Sequence, residues 1–544
     1  RVRAVDGVYN TSTWSVASTT VPQRECVYNY LSGDQEENET ILTKAGSPYI
    51  LDYYYVPEGK KMIIEAGTVI KSSSFEDYDT VLAYSNLDVS GELEIRGEPE
   101  DKVIFTTVYD NNFEDDCLNT FSLATSTEQV MGGILLRFYD TTAILKNFEM
   151  RQFDRLQPHI QLASLGTMYE NYLYPMNECL EAENSNLEIS GAVLRGCGGQ
   201  AAALFKKSTV SIGDSEIISD LNAYDSGIVT DGGSLILNKV KISGYQEYPL
   251  RLRFNEIREF TDLILENNRV NGIYDESIRG ELILKKGEIP LVLDQSIIGI
   301  LSSFIVEPGV EFYYEGKDGI ASNKSLSFSG TPEDRIKIYL PNIYETAMSF
   351  NNTTNDFKYV DFIGLEPYLN DGLKYSYGVE NSWGLALSDL YRGQILNSWK
   401  RRSQGLIVKN GNLILENVRF FNSFIPWSNA LNLINSVAAL KNVSFISVKP
   451  YGEIFYLEEA MGSGINGNGG TMELDNVNFS DLFYGIYSDP GYYYGLIKTV
   501  TTNMSSGNFE NVIYDFVPED LIIFSVPEEE IITSTPESED VLVE

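Results

Sequence analysis

Histidine is almost missing. His159 is the single one in 544 residues, which removes most general-base and zinc chemistry. It sits in Leu156-Gln-Pro158-His159-Ile160 without a flanking acid pair and reads as an ordinary surface or packed residue. Positive charge is also scarce: 40 Lys and Arg stand against 78 Asp and Glu, a formal net charge of -38. Such a surface repels phosphate backbones and anionic lipid, so no nucleic-acid partner is expected. No apolar run reaches the roughly 18–20 residues of a membrane-spanning helix. The four cysteines, Cys26, Cys117, Cys179 and Cys197, contain no Cys-x-x-Cys pair, against zinc-ribbon and thioredoxin-type sites. They permit two disulfides or buried free thiols. The chain starts at Arg1 with neither Met nor an apolar leader, so a mature, trimmed form is expected. Glycosylation sequons occur at Asn10, Asn38, Asn323, Asn351, Asn352, Asn442, Asn478 and Asn503. A chain this rich in Asn, Ser and Thr yields nearly as many by chance.

What is present is strand and turn. Short runs of Val, Ile, Leu, Phe and Tyr are broken by Gly, Asn, Asp and Ser, and helical periodicity is nearly absent. One pattern returns: apolar, any, Asn, apolar, any, apolar. It reads Leu145-Lys-Asn147-Phe148-Glu-Met150, Leu415-Glu-Asn417-Val418-Arg-Phe420, Leu440-Lys-Asn442-Val443-Ser-Phe445, Leu474-Asp-Asn476-Val477-Asn-Phe479 and Phe509-Glu-Asn511-Val512-Ile-Tyr514. Looser copies begin at Leu187, Leu237 and Leu265. The tightest interval is 440 − 415 = 25 residues. Such a period predicts a solenoid, each coil burying its apolar side only against its neighbours. The Asn tolerates the left-handed backbone of a sharp turn, and its amide can bond the equivalent Asn one coil up.

A longer repeat overlies the short one. Ile64-Glu65-Ala66-Gly67-Thr68-Val69 precedes Gly97-Glu-Pro99-Glu100-Asp101-Lys102-Val103-Ile104-Phe105, and Val306-Glu307-Pro308-Gly309-Val310 precedes Gly330-Thr-Pro332-Glu333-Asp334-Arg335-Ile336-Lys-Ile338. The offsets are 309 − 67 = 242 and 330 − 97 = 233. Met131-Gly132-Gly133-Ile134 has a counterpart in Trp383-Gly384-Leu385-Ala386. This predicts two related units, 45–287 and 288–515, with a polar segment 1–44 that caps the first coil. Residues 516–544, acidic and Pro-containing, read as a tail or linker.

These motifs resemble bacterial secreted and cell-surface right-handed parallel β-helix repeat proteins. The shared features are an apolar-Glu-Pro-Gly-Val step, a Gly-x-Pro-Glu-Asp turn, an acidic loop and a Trp-Gly-Gly-Ile-like strand. The expected fold is therefore all-β, a right-handed parallel β-helix of two tandem units. The resemblance covers most of 45–515. It implies adhesins, surface-layer or envelope components, carbohydrate binders or some polysaccharide-degrading enzymes, without choosing among them. The Thr533-Ser-Thr-Pro-Glu-Ser-Glu539 stretch resembles spacers of bacterial surface proteins.

Three groups of residues are candidate sites. Asp110, Asn111, Asn112, Glu114, Asp115 and Asp116 form a dense oxygen-ligand loop suited to calcium, although without EF-hand spacing. Tyr53-Tyr54-Tyr55 and Tyr492-Tyr493-Tyr494 alternate between strand faces, so Tyr53, Tyr55, Tyr492 and Tyr494 can meet sugars or a protein partner. Lys400, Arg401 and Arg402 form the main basic spot, suited to an acidic patch of a neighbouring copy. No nucleophile elbow, phosphate loop or metalloprotease helix occurs. The expected role is therefore a non-enzymatic extracellular, cell-surface component that assembles with itself or with other surface proteins. A carbohydrate-binding adhesin is the alternative, and a polysaccharide lyase or hydrolase the third reading.

Overall fold

In the computed structural model the described residues are 29–72, 75–77, 80–107, 110, 130–151, 153–154, 178–197, 201–219, 226–245, 247–255, 257–315, 322–340, 348–364, 403–422, 429–447, 463–480, 482, 484–487, 500–510, 514–517, 522–523 and 532–534. They build an all-β parallel β-helix. One coil shows the logic: Val130–Tyr139, Thr142–Lys146 and Phe148–Arg151 are separated by two sharp corners. Asp140 and Asn147 turn those corners with φ of 51° and 47°. Their short polar side chains tolerate the left-handed region at little cost. Each strand then pairs in parallel with the equivalent strand one coil up and one coil down.

The recurring motif behaves as its chemistry dictates. Leu145, Leu415, Leu440 and Leu474 are buried in the core. Asn147, Asn267, Asn417, Asn442 and Asn476 all have φ between 47° and 55°. The Asn476 amide donates to Asn442 Oδ1 at 2.8 Å, and the Asn442 amide donates to Asn417 Oδ1 at 3.2 Å. A second ladder runs Asn435 to Asn410 to Asn351 at 3.3 and 3.4 Å. Inside, Phe362, Phe420, Phe445, Phe479 and Phe509 stack with centroids 4.8–5.1 Å apart and planes within 9°. That spacing is set by the separation of neighbouring strands. The motif at Asn511 lies outside the described residues.

The stack extends past both expected ends of the repeats. Asn29–Asp34 and Glu39–Leu42 already pair with Tyr49–Val56 and Lys61–Glu65. Tyr514–Val517, Ile522–Ile523 and Ile532–Ser534 pair with the last coils. The longer repeat is visible in side chains. Gly67, at φ 71°, lies against Lys44 and Asp101, which form an ion pair. Gly309, at φ 77°, lies against Lys286 and Asp334, which form the equivalent pair.

Three columns of strands run through the first part of the stack, but among the described residues only one crosses its middle. That column passes from Leu250–Arg253 through Ile273–Asp275, Leu291–Asp294, Glu311–Glu315 and Ile336–Leu340 to Val360–Gly364. The other two reach Ile257–Thr261 and Ile264–Glu266, which have no further partner strand among the described residues. The through-column holds the first strand of each coil before the break and the last strand after it. Two core clusters meet there, one spanning Leu31–Ile273 and the other Tyr248–Phe509. The helix Gln295–Ile300, N-capped by Asp294 through a 2.8 Å bond from Ile297 N, interrupts the strand pattern. A separate two-stranded parallel sheet, Gly280–Leu284 with Leu301–Val306, flanks it.

Candidate interaction surface

Alternation along each strand sends every second side chain out of the coil. In Tyr49–Val56, Tyr54 is buried while Tyr53, at 44% exposure, and the half-buried Tyr55 point outward. Both lie on the outer face of the through-column. One coil on, Tyr55 is in register with Asp88. Asp88 is followed by Arg137 and then by Glu181. The Arg137 guanidinium lies 3.6 Å from Asp88 and 3.0 Å from Glu181, and Lys206 reaches Glu181 at 2.9 Å. Burial raises the pKa of Asp88 in spite of Arg137. Burial also pushes Glu181 up, but bonds from Lys206 and Arg137 more than offset it, so its carboxyl sits below the usual range. Burial and the neighbouring Asp88 raise the Tyr53 hydroxyl.

The same outer face repeats this chemistry beyond the break. Arg251 binds Glu276 at 2.7 Å and lies 5.5 Å from the centre of the Tyr274 ring, which stacks on Tyr248 at 4.7 Å. Tyr313 stacks on Tyr339 at 5.1 Å. Beside them Glu311, Lys337, Asp361 and Arg419 follow one another in register. Lys337 bonds Glu311 at 2.7 Å, and Asp361 accepts from Arg335 and Arg419, each at 2.8 Å. Opposite charges on successive strands stabilise the stack, and they leave a face with little net charge. Single-residue reading missed this row. Its members are 137 − 88 = 49 and 181 − 137 = 44 residues apart, so only the strand register brings them together.

The other predicted sites fare differently. Asp110 is buried; its carboxylate accepts from Thr106 Oγ1 at 2.8 Å and its carbonyl from Lys71 Nζ at 3.2 Å. Asn111, Asn112, Glu114, Asp115 and Asp116 lie outside the described residues, as do His159, Tyr492, Tyr494, Lys400, Arg401 and Arg402. Among the described residues no group of three His, Cys, Asp or Glu is placed to hold a metal ion. Cys179 and Cys197 form a disulfide, which leaves the free-thiol alternative without support for this pair; Cys26 and Cys117 lie outside the described residues. An open groove of about 500 Å³ at one corner of the coils is lined by Lys60, Lys61, Glu92, Asp140 and Asn186. Lys61 already pairs there with Glu92 and Glu94 at 3.5 and 3.3 Å. No helix of the described residues is long and apolar enough to cross a membrane. Compared with known proteins, the chain matches no family model, no curated protein and no solved structure.

Proposed function

We propose that this chain is a non-enzymatic extracellular component of a cell surface that assembles with copies of itself or with other surface proteins. The carrying observation is the outer face of the through-column. There, acids and bases alternate along Asp88–Arg137–Glu181 and Glu311–Lys337–Asp361–Arg419, beside the outward Tyr53, Tyr55 and Tyr339. A chain with net charge -38 repels its own copies, so a face whose charges cancel is where lateral contact costs least. Calcium bound by the Asp110–Asp116 loop is part of this proposal, as a cation that would offset the repulsion. Electron microscopy of native material, with and without chelator at low salt, tests it: ordered lattices or filaments are expected. A monomer under every ionic condition, together with turnover of a polysaccharide lost on changing one carboxylate, would overturn it.

A second reading, a carbohydrate-binding adhesin, is favoured by Tyr53, an exposed ring beside Asp88. Rings of this kind stack on sugars while nearby carboxylates accept hydroxyl hydrogens. Screening the protein on acidic and neutral glycans, with Tyr53→Ala as control, separates the two readings.

A further inference from the structure

The break in the stack leaves strand edges that differ in how they are guarded. At the end of one column, Ile257–Thr261 carries Arg258 at a core-facing position, in register with Leu235. Arg258 pairs with Asp275, itself in register with the buried Leu252. An inward charge on an edge strand opposes the addition of another strand. The strand Gly280–Leu284 carries no inward charge; its one charged residue, Glu281, is exposed on the outer side with Ile283. Among the described residues this strand pairs only with Leu301–Val306, and no described strand pairs with its other edge. The inner side of this small sheet is committed: Leu284 and Val306 are buried, and Leu282 and Phe304 pack on the core. Its outer side is not. Ile283 and its cross-strand neighbour Ile305 are 42% and 45% exposed, and Ile300 on the adjoining helix is 51% exposed.

Two parallel strands are a poor sheet on their own, because stability normally needs a third strand or complete cover. The exposed apolar side chains are concentrated here. Six of the twelve large exposed ones among the described residues fall between positions 254 and 305. The ends of the free strand are positive. Arg279 precedes it and Lys285 follows it, and among the described residues neither side chain forms an ion pair; the Arg279 guanidinium donates to the carbonyls of Glu276 and Ile278, and the Lys285 backbone N–H donates to the Glu288 carboxylate at 3.3 Å.

We propose that Gly280–Leu284 is an acceptor edge for an extended segment of a partner polypeptide, apolar at alternate positions and acidic at its ends. The partner's backbone would complete the sheet, its apolar side chains would cover Ile283 and Ile305, and its acidic ends would meet Arg279 and Lys285. This inference does not depend on the proposed function.

The test is fluorescence anisotropy on the full chain with a short labelled peptide that alternates Val and Thr between terminal Asp residues. Saturable binding is expected. The double variant Arg279→Glu/Lys285→Glu should weaken it about tenfold, the effect of losing two surface ion pairs. Ile283→Lys should abolish it, with circular dichroism confirming an intact fold. A peptide of the same composition with Pro at alternate positions should not bind. Lack of binding up to millimolar peptide, equal binding of the Pro peptide, or indifference to all three substitutions would each overturn the assignment. So would a sedimenting dimer of the wild-type chain that Ile283→Lys dissociates, because the occupant would then be a second copy.

Discussion

Phe445→Ala should be among the most damaging single changes in the second half. The ring is fully buried and sits between Phe420 at 5.0 Å and Phe479 at 5.1 Å, with planes within 9° of both. Deleting a buried Phe side chain costs about 3–5 kcal/mol. Each stacked pair adds about 0.5–1.5 kcal/mol beyond area alone, and two such pairs are lost here. The coils cannot close the gap, because backbone hydrogen bonds in all three columns fix their spacing at about 4.8 Å. The loss should therefore lie in the upper half of that range, about 4–5 kcal/mol. Phe445→Leu keeps most of the apolar volume and should cost only about 1–2 kcal/mol. A long solenoid need not unfold in one step, so the readout is hydrogen exchange across Asn412–Glu416 and Asn429–Ser447 combined with urea unfolding. A Phe445→Ala cost below about 1 kcal/mol, the range of surface changes, would refute the stacked core.

Three further outcomes follow from the same structure. Asn442→Ala loses both ladder bonds and forces a Cβ-bearing apolar residue to φ 53°, so it should cost about 1 kcal/mol more than Asn442→Gly, which loses only the bonds; equal urea midpoints would contradict this. Burial pushes Asp361 up, but Arg419 and Arg335 more than offset it, so its folded pKa is depressed; its contribution is present above the unfolded value near 3.9 and is lost as pH falls through the lower folded value. Asp361→Asn should thus cost about 3–5 kcal/mol at neutral pH and flatten the acid limb of a stability–pH curve, and an unchanged acid limb would show that the Arg pair does not hold this carboxylate. Millimolar calcium should raise the melting temperature relative to excess EDTA if the Asp110–Asp116 loop binds it, and equal values would remove that site.

The parts of the fold legible in the sequence were the local ones. Each Leu-x-Asn-apolar-x-apolar stretch carries its own turn residue and its own alternation, so burial of Leu440 and the left-handed backbone of Asn442 need no distant information. The Tyr53-Tyr54-Tyr55 alternation was readable for the same reason. Pairing between coils was not. Phe445 lies 25 residues beyond Phe420, while Phe420 lies 58 beyond Phe362, so no fixed period predicts which side chains share a row, inside or outside. The charged ladder at Arg137 and the end of two columns at Ile257–Thr261 and Ile264–Glu266 are properties of that pairing. The strands inside 516–544 were hidden by the Pro and acidic residues around Ile522–Ile523 and Ile532–Ser534.

The one column that runs through the middle of the stack among the described residues also decides where matching stretches of sequence face. Val69–Ser72 and Glu311–Glu315 follow the same Gly turn in the two repeats, yet the first stands on a column that stops at Ile264–Glu266 and the second on the column that continues. Val103–Thr107 and Ile336–Leu340 are offset in the same way. Matching sequence positions therefore look out in different directions, about one side of a three-sided prism apart. The same substitution made at matching positions of both stretches would alter two faces at once. A substitution in one stretch alone acts on one face only, so each side can take its own neighbour without disturbing the other.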